Sequence, residues 1–127
     1  TAPSTTYTIS ASLTAAQEVP ATNSTGTGTL TGTYDASTYK LSYTLNWSGL
    51  TGAATGMHFH GPAAAGTSAA VEVAITGFPS VASGTVSGTA TLTASQNDDL
   101  LGGKMYANIH TSANPAGEIR GQVSASK

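Results

Sequence analysis

Hydrophobic and polar residues alternate with a period of two along most of the chain. In the first such segment, Tyr7, Ile9, Ala11 and Leu13 lie on one face, and Thr and Ser occupy the other. Alternation of this kind is typical of β-strands that bury one face. The pattern predicts strands at residues 7–13, 27–34, 41–47, 54–60, 71–75, 85–93, 104–111 and 118–125.

Turn residues separate these segments, and only residues 95–103 have the pattern of a helix. Ser95 is the predicted N-cap, Asp98 and Asp99 lie in the predicted first turn, and a glycine pair ends the helix. No repeat or linker divides the chain, so we expect one domain over residues 1–127. The expected fold is all-β, an antiparallel Greek-key β-sandwich or flattened barrel of about eight strands with one short helix.

Charged residues are scarce, and this narrows the classes of function. They make up 8% of the chain, four basic and six acidic, compared with roughly 25% in a typical domain. Coiled coils need charged outer faces, and nucleic-acid binding needs many cations, so both are excluded. No apolar run reaches the roughly 20 residues that span a bilayer, so we expect no membrane span.

The chain has no cysteine, which excludes both a disulfide framework and a thiolate metal site. Its strands are rich in Thr, Ser and Gly, and its first residues resemble those of a chain from which a signal peptide has been removed. We therefore expect a secreted, periplasmic or cell-surface protein. Asn23 and Asn46 begin Asn-x-Ser/Thr sequons, which would be glycosylated only in a eukaryotic secretory host.

All three histidines of the chain are predicted to face away from the core. His58 and His60 are two residues apart in one strand and therefore share a face. His110 lies on the face of a later strand opposite to Ile109. Three imidazoles without a thiolate suit copper, zinc, nickel or iron, and the Irving–Williams order favours copper, with zinc less favoured. The alternative is three surface or hydrogen-bonded histidines that bind no ion.

Two charged residues near the end of the chain are further candidates. Because Ile119 points inward, Glu118 and Arg120 point outward, in the same sense as His110. Glu118 is a candidate acceptor for the second N–H of a metal-bound imidazole, and Arg120 is a candidate cation for attracting an anion. An exposed salt bridge between them is the alternative. A further carboxylate, Glu18, either reaches the same site or caps a turn.

Three segments resemble the CHRD domain family, which is named from chordin. They are LTAAQEVP at residues 13–20, MHFHGP at 57–62 and YANIHTSANPAGEIRG at 106–121. The family occurs in exported bacterial proteins as well as in chordin. The resemblance covers nearly the whole chain, and it implies an exported domain without implying a reaction.

The His-x-His strand, the later histidine and the terminal arginine are also similar to the copper half of Cu/Zn superoxide dismutase. That resemblance implies an eight-stranded Greek-key sandwich in which His58, His60 and His110 bind copper and Arg120 guides superoxide. The chain has no fourth, bridging histidine and no zinc-ligand loop. The implied site therefore holds one copper ion.

Three functions remain open at this point. The first is copper binding or handling, and the second is superoxide dismutation or a reaction with another small redox molecule. The third is adhesion or binding of a protein partner without a metal. Whether the protein is an enzyme, and which protein it would bind, does not follow from the sequence.

Overall fold

The computed structural model describes residues 5–127, and within them the chain folds into an antiparallel sheet that nearly closes into a barrel. The strands are β1 Thr6–Thr14, β2 Thr27–Asp35, β3 Lys40–Ser48, β4 Ala54–His60, β5 Val71–Ala74, β6 Gly84–Thr91, β7 Tyr106–Thr111, β8 Ile119–Gln122 and β9 Ser124–Ser126. A 3-10 helix (Ala15–Gln17) follows β1, and one α-helix, α1 (Ala94–Leu101), precedes β7. The predicted all-β class with one short helix is confirmed.

The strands are ordered β5-β4-β7-β8-β1-β2-β3-β6 across the sheet, and β9 pairs with β1. The register of β1 with β2 pairs Ala11 with Leu30, and that of β2 with β3 pairs Leu30 with Leu45. Paired residues point to the same face of a sheet, so the apolar set of each strand enters one common core. Thr and Ser fill the alternate positions on the outside, as the alternation predicts.

The structure differs from the sequence prediction at the last strand and at the helix. The segment predicted as one strand is two, β8 and β9, with Val123 between them. Helix α1 is capped by Thr93, not Ser95, and its first turn holds no acidic residue. The Thr93 hydroxyl accepts a hydrogen bond from the Gln96 N–H while the Gln96 side chain accepts one from the Thr93 N–H. This reciprocal capping box satisfies two free N–H groups, which a cap at Ser95 would not achieve.

The adjacent strands β4, β7 and β8 have a buried apolar face and a polar face. Met57, Phe59, Ala107, Ile109 and Ile119 point into the core and are almost fully buried. The alternate positions of these strands therefore project from the opposite face. Residues 61–70 connect β4 to β5 and contact that face. No helix among the described residues is long and apolar enough to cross a membrane.

Two carboxyl groups join the edge strand β5 to helix α1. Glu72 and Asp99 each have one carboxyl oxygen that is buried without a hydrogen-bond partner. Burial and the nearby charge of Asp99 raise the pKa of Glu72 to about 7. Two neighbouring carboxylates repel each other when both are ionised, so this proximity favours a protonated Glu72.

We expect the wild type to lose stability as the pH rises, and we expect Glu72→Gln to abolish that loss. A carboxyl group whose pKa is higher in the folded than in the unfolded state lowers the free energy of unfolding as the pH rises between the two pKa values. For Glu72 these values are 4.5 and about 7. At pH 8 the variant should be more stable by about 1–2 kcal/mol, allowing for solvent screening. Urea denaturation at pH 5 and pH 8 measures the difference.

Asp98→Asn is the matched control, because Asp98 is an exposed acid of the same helix. It should leave the pH dependence of the wild type unchanged. Equal pH dependence of Glu72→Gln and the wild type would contradict the assignment.

Candidate metal centre

Three imidazole rings meet on the polar face of β4 and β7. Antiparallel pairing of these strands places His58 opposite Asn108 and Gly56 opposite His110. The ring centroids of His58 and His110 are 4.9 Å apart, those of His58 and His60 5.5 Å, and those of His60 and His110 6.2 Å. One nitrogen from each ring lies within 4.8 Å of the others. The structure therefore brings together all three histidines that the sequence analysis named.

A glycine leaves room for this cluster. A Cβ atom added at Gly56 would lie 3.3 Å from Cε1 of His58 and 3.8 Å from Cδ2 of His110. A larger side chain at this position would compete with the rings for the same space. Glycine inside a strand often marks such a close approach.

Backbone carbonyl groups fix the protonation pattern of two of the rings. Nδ1 of His60 donates to the Ala69 carbonyl (3.0 Å), and Nδ1 of His110 donates to the Pro115 carbonyl (2.9 Å). Since a carbonyl can only accept, each neutral ring carries its proton on Nδ1 and has its lone pair on Nε2. Hydrogen bonds of this type orient metal-binding histidines in proteins.

The two Nε2 atoms face the side chain of Asn108. The amide oxygen of Asn108 lies 2.9 Å from Nε2 of His60 and 3.1 Å from Nε2 of His110. Two lone pairs cannot both be satisfied by an oxygen. A half-turn of the amide, which presents its NH₂ group, or a cation bound by both nitrogens would satisfy them.

The third ring has an unsatisfied nitrogen. Nδ1 of His58 is buried and has no hydrogen-bond partner among the described residues. A buried polar atom without a partner costs about 1–3 kcal/mol. Two nitrogens that bind one ion with bonds of about 2 Å lie at most about 4 Å apart. One nitrogen from each ring already lies within 4.8 Å of the others. Small rotations of the rings would therefore bring all three onto one ion. The donor set fits a metal ion.

Burial favours the neutral form of His58 and of His60. It lowers the pKa of His58, and the charges of His110 and His60 lower it further. Burial also lowers the pKa of His60, although hydrogen bonds with Ala69 and Asn108 act in the opposite direction. Neutral imidazole is the form that binds metal ions, so near neutral pH these two rings require little deprotonation before binding.

Arg120 is buried beside the cluster and holds the loop that covers it. The side chain is 2% exposed, and its guanidinium lies 3.5 Å from the centre of the Tyr106 ring. Its terminal nitrogens donate to the Thr67 carbonyl and to the Ser68 hydroxyl (3.3 Å). It forms no exposed salt bridge with Glu118, and it holds residues 67–68 against the sheet.

Tyr106 links that loop to His60. The two rings are nearly parallel, with centroids 4.8 Å apart. The Tyr106 hydroxyl accepts from the Ala69 N–H (3.1 Å) and donates to the Ala69 carbonyl (3.2 Å). The same carbonyl receives the Nδ1 proton of His60. Arg120 and Tyr106 therefore position the group that orients His60.

Glu118 is fully buried and lies in a cluster of hydrogen-bond donors. Its carboxylate accepts from the Thr51 N–H (2.8 Å) and hydroxyl, the hydroxyls of Ser24 (2.7 Å) and Thr111 (2.7 Å), and the Asn114 amide (3.2 Å). Burial alone would raise the pKa of Glu118, but these hydrogen bonds outweigh it and lower the pKa to about 2. The Nδ1 proton of His110 goes to the Pro115 carbonyl and not to Glu118. The structure therefore places Glu118 as an anchor for connecting segments and not as a partner of a ligand imidazole.

Sequence reasoning missed the acceptors that orient the rings. Asn108 and Tyr106 alternate with Ala107 and Ile109 and therefore share a face of β7 with His110, but that position alone indicates no role. Their importance comes from the β4–β7 register, which pairs Asn108 with His58 and Tyr106 with His60. The Ala69 and Pro115 carbonyls are backbone groups and leave no signal in a sequence.

Comparison with known proteins identifies one family. The sequence model of the CHRD domain matches residues 9–123. No curated protein and no solved structure matches the chain.

We expect Glu118→Gln to lower the free energy of unfolding by about 2–4 kcal/mol. The substitution keeps the shape of the side chain but removes the buried charge and directs an amide N–H₂ toward hydroxyl and N–H donors. Urea denaturation at pH 7 measures the loss. Asp35→Asn is the control, because the Asp35 carboxylate also accepts hydrogen bonds from hydroxyl groups but lies at the surface. If Glu118→Gln lost no more stability than Asp35→Asn, the role of Glu118 as a buried anchor would be contradicted.

We expect Arg120→Lys to loosen the loop while the fold is kept. Lysine retains the charge but cannot stack its head group flat on Tyr106 and donate to two loop groups at once. Hydrogen exchange in residues 67–69 should accelerate at least about tenfold, because local opening becomes easier. Lys40→Ala, which removes an exposed cation from β3, should leave that exchange unchanged. Unaltered exchange in Arg120→Lys would show that the arginine does not hold the loop.

Proposed function

The chain belongs to the CHRD domain family, and we propose that it binds one copper ion through His58, His60 and His110. The observation that carries the proposal is the state of the ring nitrogens. Two rings present Nε2 lone pairs to one point, and the third has a buried nitrogen without a partner. A cation bound by all three would satisfy every one of these atoms.

Asn108 supports this proposal because it occupies the position between the two Nε2 atoms. In the metal-free protein its NH₂ group, after a half-turn of the amide, can donate to both lone pairs and so take the place of a cation. An ion bound to both Nε2 atoms would leave the amide oxygen as the better neighbour.

Copper is the preferred ion on the chemistry of the donors. The cluster offers imidazole nitrogens only, and the chain has no cysteine. For a given nitrogen site, affinity among divalent first-row ions is highest for Cu(II) and lower for Zn(II). Carbonyl acceptors on Nδ1 raise the basicity of the coordinating nitrogens of His60 and His110. Bound copper would also supply one-electron redox chemistry.

The proposal is limited to copper binding and handling. Dismutation of superoxide is favoured by an accessible cation that attracts the anion. Arg120 is buried, and its nitrogens are used by the loop. This arrangement favours a positioning role for Arg120 over a guiding one.

Titration of the metal-free protein with Cu(II) in competition with a chelator tests the proposal. We expect one ion per chain, nitrogen hyperfine structure in the electron paramagnetic resonance spectrum, and binding of Zn(II) that is weaker by at least about tenfold. Substitution of each histidine by alanine should weaken Cu(II) binding by well over tenfold, because a strong metal–nitrogen bond is lost.

Asn46→Ala, an exposed change on the distant strand β3, is the control and should leave Cu(II) affinity unchanged. Thermal unfolding of each metal-free variant separates loss of a ligand from loss of the fold. Full affinity in any one of the three histidine variants would contradict the three-histidine site.

A further inference from the structure

A cleft of about 350 Å³ lies next to the histidine cluster, between residues 18–23 and the turn at residues 113–117. Its walls are largely apolar, with Pro20 on one side and Pro115 and Ala116 on the other. Val19 also lines the cleft. Its side chain is 44% exposed, whereas most large apolar side chains of the described residues are buried. The volume is at the lower end of the range of about 300–1,000 Å³ for small-molecule sites, so only a small ligand or a single side chain would enter.

Glu18 contributes a carboxyl group to the cleft that is 7% exposed. Its Oε2 atom is buried and has no hydrogen-bond partner among the described residues. The atom lies over Gly117, where an added Cβ would be only 2.5 Å away. Gly117 has a φ of +126°, which favours glycine in any case. The missing side chain therefore leaves the space that the carboxyl group occupies.

No cation of the described chain neutralises this carboxylate by contact. Arg120 acts on Glu18 through its charge, but its terminal nitrogens bind Thr67 and Ser68. The cost of burial raises the pKa of Glu18 to about 7, with Arg120 and a backbone hydrogen bond from Val19 acting against the rise. A buried carboxylate without a partner is costly, and an incoming cation would remove that cost.

We propose that this cleft binds a primary ammonium group on a short aliphatic stem, with Glu18 as its counter-ion. The ammonium group offers three N–H donors to a carboxylate whose Oε2 atom has no hydrogen-bond partner among the described residues. The stem would pack on Val19, Pro20 and Ala116, which line the cleft. This chemistry is shared by free alkylamines and by lysine side chains of a peptide. The inference is independent of the copper proposal, since none of the three histidines lines the cleft.

Titration of metal-free protein at pH 8, where Glu18 is ionised, tests the proposal. The probes are n-butylammonium, lysine blocked at both backbone ends, and 1-butanol as the uncharged analogue of the stem. We expect the two amines to bind in the range of about 1 mM and to shift the amide resonances of Gly117 and Asn108. Butanol should bind at least tenfold more weakly, because it cannot pair with the carboxylate.

Glu18→Gln should weaken binding of both amines by at least tenfold. Glu72→Gln is the matched control, since it makes the same substitution at another carboxyl with a raised pKa, away from the cleft, and it should leave binding unchanged. Ala116→Leu narrows the cleft without altering a charge and should also weaken binding.

Tighter binding of blocked lysine than of butylammonium supports the proposal and assigns the cleft to a peptide side chain; the reverse order supports it and assigns the cleft to free amines. Equal binding by wild type and Glu18→Gln, equal binding of butanol and butylammonium, or no shift at Gly117 would overturn the proposal. Amine binding that persists when Cu(II) binding has been abolished by His58→Ala confirms that the two sites are separate.

Discussion

Burial of polar side chains on the outer face of β4, β7 and β8 is the constraint on which the rest of this structure depends. That face carries His60, Asn108 and Arg120, and all three are buried. A buried polar group must find a partner or remain at a cost in free energy. The loop at residues 67–69 and the turn at residues 113–117 supply many of those partners, and so the connecting segments are ordered by the polar residues they cover.

Three carboxyl groups of this charge-poor chain show that the number of nearby hydrogen-bond donors decides how readily a carboxyl group binds a proton. Glu118 is fully buried, yet N–H and O–H donors surround it and keep it ionised. Glu18 is buried and Glu72 is half-buried, each has one buried oxygen that no donor reaches, and both bind a proton far more readily. Burial alone does not separate these residues. The residues differ in whether each carboxyl oxygen has a hydrogen-bond donor. By that measure Glu18 is the carboxyl group that an external cation would satisfy.

The period-two pattern predicted most of the strands, much of the core and the common face of the three histidines. Met57 and Phe59 enter the core, so His58 and His60 leave it together, and the same reasoning places His110. The pattern could not show that this face is covered, because the covering loop has no periodic residues and is held by backbone carbonyls. For that reason the alternation does not indicate that Glu118 and Arg120 are buried among connecting segments. Their roles come from segments distant in sequence, such as Thr51 and Thr67.

Asn108 lies between the two proposed sites. Its amide oxygen lies beside the Nε2 atoms of His60 and His110, and its amide nitrogen points toward Gly117, where the Glu18 carboxyl group also lies. An amide has a donor end and an acceptor end, and a half-turn exchanges them. A cation on the histidines favours the oxygen toward them, which keeps the nitrogen on the side of Gly117. Glu18 Oε2 nevertheless has no hydrogen-bond partner there among the described residues. The amide therefore serves the histidines and leaves the acceptor of Glu18 unmet, which keeps the requirements of the two sites separate.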